Sequence, residues 1–433
     1  MEKSFGTNEN DMMKIEGAPI VEVGSGAVNR LADLLCDLGV KRVFIYADKN
    51  TYAAAGGKVS DALDAAGIEM KRYIFAADRV EPNEEFVGLA IMNFDPGVDA
   101  VVAIGSGVIN DISKIVANVS GKKYAIVATA PSMDGYASAT SSMSVGGLKI
   151  SLASKCADII IGDTDILRGA PMKMLLSGLG DMLAKYVAIC EWRISNIING
   201  EPVSDEVAGM VRRSLSECVK NADGLLGREA EATEAVFRGL VLCGLAMKVA
   251  GTSRPASGIE HYLSHIWDMR GEEFGTVTDL HGIQCAVGTY IAASLYENIK
   301  SVKPEREKAL GFVESFDYPE WAKELRAFLG KGAEAMITLE EKEGKYDKEK
   351  HVARLDIIIE KWDEILAVIN EEIPALKTLD ALYEKVGLPK TMWEMGMDDS
   401  ILQMTFMAAK DIRDKYVLPR LCFDLGIINE LKF

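Results

Sequence analysis

The chain holds four histidines in 433 residues, and three of them, His261, His265 and His281, fall within one short stretch. His261 and His265 stand four apart in Glu260-His261-Tyr262-Leu263-Ser264-His265, a spacing that puts both on one face of a helix. Imidazole is the commonest metal ligand and titrates near neutrality, so the cluster offers a metal site or a proton relay. Spacing alone leaves a second assignment open, with two surface histidines and one packed in the core. Asp181 and Lys185 are likewise four apart, in Gly180-Asp181-Met182-Leu183-Ala184-Lys185. They form an ordinary i,i+4 ion pair or, given their apolar and small neighbours, face a buried site.

Two segments suit a phosphate-bearing ligand. Ala103-Ile104-Gly105-Ser106-Gly107-Val108-Ile109-Asn110-Asp111 follows an apolar strand and leads into a helix. Glycines there let backbone N–H groups approach a phosphate, and the helix N-terminus adds partial positive charge. The pattern is not GxGxxG, because Asn110 stands three after Gly107, and a plain strand-to-helix turn explains it equally. Ala130-Pro131-Ser132-Met133-Asp134-Gly135-Tyr136-Ala137-Ser138 supplies hydroxyls and a carboxylate at the end of another strand, the edge where open α/β sheets bind ligands. Asp48, closing Phe44-Ile45-Tyr46-Ala47-Asp48, suits an adenosine ribose and would repel a 2′-phosphate; alternatively it caps a turn.

The elements that must position these residues change texture along the chain. Up to about residue 165, β-branched runs (Arg42–Tyr46, Arg72–Phe75, Asp99–Ile104, Tyr124–Thr129) alternate with helical stretches (Ala27–Leu38, Val59–Ala66, Asn110–Val119), which predicts a parallel sheet with crossover helices. Leu148–Ile161 predicts a further strand or hairpin. Beyond Met172 the patterns are amphipathic and helical: Met172–Asn196, Ser204–Asn221, Glu229–Ala250, Gly282–Tyr296 and Leu355–Asn370. The expected organisation is therefore a Rossmann-like α/β dinucleotide-binding domain over 1–168 and an all-helical metal- and substrate-binding domain over 169–433, with the boundary near Arg168-Gly169-Ala170-Pro171. The charged run Glu340–His351 predicts a solvated loop or helix end.

Composition narrows the function classes. Apolar content of 48% is that of a globular protein, and a net charge of −17 argues against nucleic acid or an anionic membrane as the main partner. Met1–Asn10 has no apolar segment of a signal peptide, and no run of about 18 apolar residues predicts a membrane span. Seven scattered cysteines with no CxxC pair predict reduced core thiols, a cytoplasmic location and no cysteine-based zinc site.

Taken together, Gly105–Lys114 (GSGVINDISK), Ala128–Ser142 (ATAPSMDGYASATSS), Gly180–Lys185 (GDMLAK), Ser253–His265 (SRPASGIEHYLSH) and Leu280–Gly282 (LHG) make the chain resemble the iron-containing-alcohol-dehydrogenase-like superfamily. Within it the chain is most similar to the sn-glycerol-1-phosphate dehydrogenases of the AraM-like branch. The resemblance implies a dehydroquinate-synthase-like architecture and a three-ligand metal site of Asp181, His261 and His281. It implies that His265, Asp134 and Asp181 meet the substrate, with His265 and Asp181 catalytic. It also implies that Gly107, Val108, Ile109, Asn110 and Asp111 lie along the cofactor's pyrophosphate, with Asp48, Thr129, Ser132 and Ser138 as further cofactor contacts. Val108 departs from the family's glycine triplet followed by Ser or Thr, and offers no hydroxyl.

The reaction so implied is NAD(P)-linked hydride transfer between dihydroxyacetone phosphate, a phosphorylated triose, and sn-glycerol 1-phosphate. NAD is expected over NADP because of Asp48. Imidazole and carboxylate ligands suit Zn²⁺, Ni²⁺ or Fe²⁺. Lys185 and Arg254 are the candidate cations for the substrate phosphate. A homodimer or higher homo-oligomer is expected. Glycerol dehydrogenase is the near alternative and a 3-dehydroquinate-synthase-like lyase a more distant one. A non-catalytic nucleotide-binding protein with a structural metal is the alternative of a different class, although three ligands leave the open position of a catalytic ion.

Overall fold

A computed structural model describes residues 17–146, 148–431 and 433, so Met1–Asn10 lies outside the described residues. Eight strands are present among the described residues: β1 (Ile20–Gly24), β2 (Arg42–Asp48), β3 (Glu69–Phe75), β4 (Ala100–Gly105), β5 (Lys123–Ala128), β6 (Thr140–Val145), β7 (Leu148–Ala153) and β8 (Ile159–Asp163). The helices used below are α1 (Leu31–Asp37), α2 (Gly57–Ala65), α3 (Glu84–Met92), α4 (Gly107–Ser120), α5 (Met172–Leu183), α6 (Lys185–Asn199), α7 (Asp205–Lys220), α8 (Ala230–Ala250), α9 (Ile259–Phe274) and α10 (His281–Ile299).

Six strands form one parallel sheet in the order β1-β8-β5-β4-β2-β3, and β6 and β7 make a separate two-stranded sheet. β4 and β8 are buried along their whole length, which is why they read as unbroken apolar runs rather than as alternation. The main apolar cluster joins the sheet to its helices, with Leu31 and Leu35 of α1, Val59 and Leu63 of α2, and Val43, Val102 and Ile161 of the strands. β1 was not anticipated: five residues at a half-exposed sheet edge carry too little pattern to stand out. The expected Leu148–Ile161 segment is β7 followed by β8.

The chain leaves β2 for β3 at the sheet edge, but leaves β4 for β5 on the opposite side. The loops after β2 and β4 therefore diverge, and a crevice of this kind is where doubly wound sheets take a ligand. Asp48 ends β2, and Gly105-Ser106-Gly107 joins β4 to α4, so both sequence candidates flank this switch point.

The chain forms two compact units whose borders differ from a single break after Arg168. Among the described residues, unit 1 comprises 17–145, 150–182 and 209–252, and unit 2 comprises those of 146–149, 183–208 and 253–433. Helical texture cannot say which partner a helix packs on, and α8 packs within the sheet-bearing unit. Its Phe237 packs against Tyr136 with ring centroids 5.3 Å apart and fills the space a side chain at Gly162 of β8 would need, 2.2 Å from an ideal Cβ there. Arg228 donates to the Ala170 carbonyl at 2.6 Å, and the Arg168 guanidinium returns a bond to the Arg228 carbonyl at 2.5 Å, so the expected linker is pinned inside unit 1.

The same unit holds its strand-end motif by close approach. A Cβ at Gly178 of α5 would stand 1.8 Å from the Pro131 carbonyl oxygen. Because the obstacle is backbone, Gly178→Ala is expected to cost about 3 kcal/mol, the top of the usual overpacking range. Denaturant melting checks this; a loss under roughly 1 kcal/mol would mean that the Pro131 segment shifts freely.

Unit 2 is helical. Its core includes the fully buried Trp192, Trp267, Tyr262, Tyr296 and Tyr383. α9 and α10 approach so closely at Gly288 that a Cβ there would lie 2.8 Å from the Glu260 carbonyl oxygen. The expected Leu355–Asn370 helix is two, Lys348–Glu360 and Trp362–Glu372, divided at Lys361. Met172–Asn196 is similarly divided into α5 and α6. The charged run 340–351 is only partly solvated. Glu341, Lys342 and Glu343 are exposed, but Glu340 meets Lys345 at 2.5 Å and Arg420 at 3.2 Å, and the buried His351 bonds the Asp424 carbonyl at 2.9 Å. Both end residues are claimed by partners far along the chain, which local charge density does not reveal. Among the described residues, no helix is long and apolar enough to cross a membrane.

Candidate nucleotide cradle and metal centre

In unit 1, Ser106 is the N-cap of α4 and makes no side-chain cap bond. Gly107 sits where a Cβ would meet Met133 at 3.1 Å, so the turn is kept narrow by glycine. Asn110 and Asp111, expected along a pyrophosphate, are buried and bonded to protein. Asn110 Nδ2 donates to the Gly135 carbonyl at 3.2 Å and its Oδ1 accepts from Tyr124 at 2.9 Å. Asp111 accepts from the Ser142 amide at 3.2 Å. Lys114, not singled out from the sequence, is fully buried and donates to the Gly135 carbonyl at 2.5 Å, Ser138 Oγ at 3.2 Å and the Thr140 carbonyl at 3.0 Å. Burial pushes its pKa down. These side chains clamp the 130–142 motif onto α4, and Ser138 belongs to the clamp.

Thr129 and Ser132 are nearly buried at the carboxyl end of β5. Thr129 bonds the Gly105 carbonyl through its amide at 3.0 Å, and the Ser132 carbonyl accepts from Ser177 at 3.0 Å. Val108 and Ile109 open α4. Asp48 accepts from the Asn50 and Thr51 amides, both at 2.8 Å, and so caps a turn as its alternative assignment foresaw. The structure brings Asp134 and Asp181 together: the half-buried Asp134 donates its amide to Oδ2 of the fully buried Asp181 at 2.9 Å.

In unit 2 the three histidines converge. His261 and His265 lie on α9, and His281 opens α10. The ring centroids stand 5.0 Å apart for His261–His281, 5.8 Å for His265–His281 and 6.4 Å for His261–His265. Glu260 Oε1 lies 2.9 Å from His261 Nδ1, which leaves Nε2 for a metal. Ser264 Oγ lies 3.1 Å from His281 Nδ1 and accepts from Gln284 at 2.9 Å; Gln284 also donates to Asp268 at 2.9 Å. Both rings are thus oriented by outer partners, the usual arrangement around a metal. His265 is almost fully buried and its Nδ1 has no hydrogen-bond partner among the described residues. Burial, then the positive charges of Arg413 and of the neighbouring groups, hold its pKa well below the usual histidine value, so it is a neutral imidazole.

Several contributors were not found from the sequence. Glu191 accepts from the Ile259 and Leu418 amides at 2.8 and 2.7 Å. Burial and the charge of Glu260 push its pKa up to about 8. Cys285 lies one turn after His281, and His261, His281 and Cys285 each offer a ligand atom, all within 4.8 Å of one another. An i,i+4 search restricted to histidine pairs passes over it; one that admitted thiols would have found it.

The two cations expected for a substrate phosphate are otherwise engaged. Arg254 is 2% exposed, grips Glu201 through Nε at 2.7 Å and Nη2 at 2.6 Å, and donates to the Tyr416 carbonyl at 2.9 Å. Lys185 is buried and donates to the Ala256 carbonyl at 3.1 Å. Arg413 and Lys149 also bear positive charge on His265.

A family model described as iron-containing alcohol dehydrogenase matches residues 22–171. Over 300 residues the chain is 31% identical to a protein of Bacillus velezensis named glycerol-1-phosphate dehydrogenase [NAD(P)+], covering 67% of this chain and 76% of that one. The chain belongs to the glycerol-1-phosphate dehydrogenase family. A further glycerol-1-phosphate dehydrogenase, from Halalkalibacterium halodurans, is 28% identical over 401 residues, 92% of this chain and 90% of the relative. The family's fold extends to more distant structures. A probable glycerol dehydrogenase from Sinorhizobium meliloti superposes with a TM-score of 0.59 at 17% identity, over 96% of this chain and 98% of that one, a likeness of fold alone.

Proposed function

We infer that this protein is a metal-dependent, NAD(P)-linked oxidoreductase that interconverts dihydroxyacetone phosphate and sn-glycerol 1-phosphate. The observation that carries the reading is the convergence of His261 and His281, each oriented through Nδ1 by an outer partner, beside the buried neutral His265. Curated relatives bearing the name of this activity support it.

Asp181, His261 and His281 are the proposed ligands of one divalent ion; a carboxylate and two imidazoles fit Zn²⁺, Ni²⁺ or Fe²⁺ and leave a position for a substrate oxygen. When bound, the ion supplies positive charge to a ketone oxygen and the nicotinamide supplies the hydride. The protein's own groups do the rest. Asp134, held by its amide on Asp181, binds a substrate hydroxyl. His265, neutral and water-poor, exchanges the proton at the substrate oxygen through Nδ1. Arg413 and Lys149, the cations that bear on His265, are proposed for the phosphate in place of Lys185 and Arg254. The loop at the sheet's switch point takes the cofactor's pyrophosphate, with backbone N–H groups at Gly107, Val108 and Ile109 as donors. Asn110, Asp111 and Ser138 act by keeping the loop in place, whereas Thr129 and Ser132 border it. Asp48 favours NAD over NADP through its charge at the end of β2. A sheet-bearing dinucleotide-binding domain, a helical metal- and substrate-binding domain, a homo-oligomeric state and a cytoplasmic location complete the proposal; seven cysteines outside any disulfide accord with the last.

The test is oxidation of NADH and NADPH by metal-loaded protein, with dihydroxyacetone phosphate and dihydroxyacetone offered separately and a chelator control. Chelator-sensitive turnover of the phosphate, giving sn-glycerol 1-phosphate, is expected. Turnover of the unphosphorylated ketone alone would move the protein to the glycerol dehydrogenases, and turnover of neither would end the dehydrogenase reading.

A further inference from the structure

We propose that Cys285 is a further protein ligand of the metal, joining the imidazoles of His261 and His281 as a thiolate. The proposal rests on the metal-dependent reading above. Cys285 is fully buried, and its position four residues after His281 puts both side chains on one face of α10. Its sulfur lies 3.6 Å from His281 Nε2 and 3.9 Å from Nδ1, so it faces the nitrogen left for a metal once Ser264 has taken Nδ1. A tetrahedral zinc with ordinary Zn–S and Zn–N bonds separates neighbouring sulfur and nitrogen ligands by about 3.6 Å. The observed spacing is therefore that of two ligands of one ion. His261 supplies the independent observation, because its ligand atom falls in the same 4.8 Å group.

Binding converts the Cys285 thiol to thiolate, forms a metal–sulfur bond and releases one proton to solvent; nothing is oxidised or reduced. The consequence is selectivity. A thiolate is a softer donor than imidazole or carboxylate and would shift preference toward Zn²⁺.

Cobalt(II) titration of the chelator-stripped full-length protein tests this by absorbance. The expected result is visible ligand-field bands together with a near-ultraviolet sulfur-to-cobalt charge-transfer band. Cys285→Ser keeps the visible bands and loses the charge-transfer band. Its zinc affinity falls by roughly 10–100-fold, at least what an outer partner of a metal site commands. Cys285→Ala, checked for folding by circular dichroism, gives the same reading without a buried hydroxyl. Visible bands with no charge-transfer band in the wild-type protein would overturn the role of Cys285 and leave the metal reading standing. A charge-transfer band that survives both substitutions would also overturn it, by pointing to another thiol. If no cobalt binds at all, the metal reading fails together with the proposal.

Discussion

His281→Ala is expected to abolish turnover while leaving the protein folded. His281 opens α10, and its ring is held from outside by Ser264, itself fixed by Gln284, so its removal leaves the packed face of the helix intact. It deletes one of two imidazoles from the proposed metal set. Loss of a Lewis acid costs several kcal/mol of transition-state stabilisation, so kcat/KM should fall by about 10³-fold or more. Metal content should fall with it, whereas circular dichroism and the melting curve should change little. Turnover within about tenfold of wild type would remove His281 from the chemistry. Global unfolding would instead mark the ion as structural.

Arg413→Ala is expected to change which ketone the enzyme prefers. Arg413 is half-buried, and a hydrogen bond to a charged group contributes about 1.5–3 kcal/mol, which predicts a fall in kcat/KM for dihydroxyacetone phosphate of roughly 10- to 100-fold. Dihydroxyacetone has no phosphate to lose, and its kcat/KM should stay within about threefold. Lys149→Ala should act in the same direction and more weakly, because an ammonium offers a point charge rather than a two-pronged donor. Equal losses on both ketones would show that Arg413 serves the fold or His265 rather than the phosphate.

Much of this was legible in the sequence where one residue type carries an unambiguous period. The parallel sheet follows from strands buried on both faces, and the histidine convergence from a spacing of four on α9 plus a third imidazole at the head of the next helix. What stayed hidden depends on partners distant in sequence. Arg254 looked like a phosphate-binding cation until Glu201 was found gripping it. Asn110 and Asp111 looked like cofactor contacts, yet their side chains are spent on Tyr124, Gly135 and Ser142. Cys285 carries no CxxC signal, because its neighbours are imidazoles rather than a second thiol. Glu340 and His351 sit at the ends of a charged run that looks solvated, and both are buried by residues beyond 400.

The return of residues 209–252 to the sheet-bearing unit sets the order in which the protein can be made. A nascent chain that has reached Arg168 already contains every strand, but not Phe237, which fills the space above Gly162 and packs on Tyr136. Its sheet must wait on the ribosome with apolar surface uncovered until α8 has emerged. By then residues 183–208 of the helical unit are also out, waiting for partners encoded after 253. Each unit thus spends part of its synthesis holding a fragment of the other. A gene cut at residue 168 yields a chain short of its own core, and one resumed there begins with a helix that belongs to the part left behind.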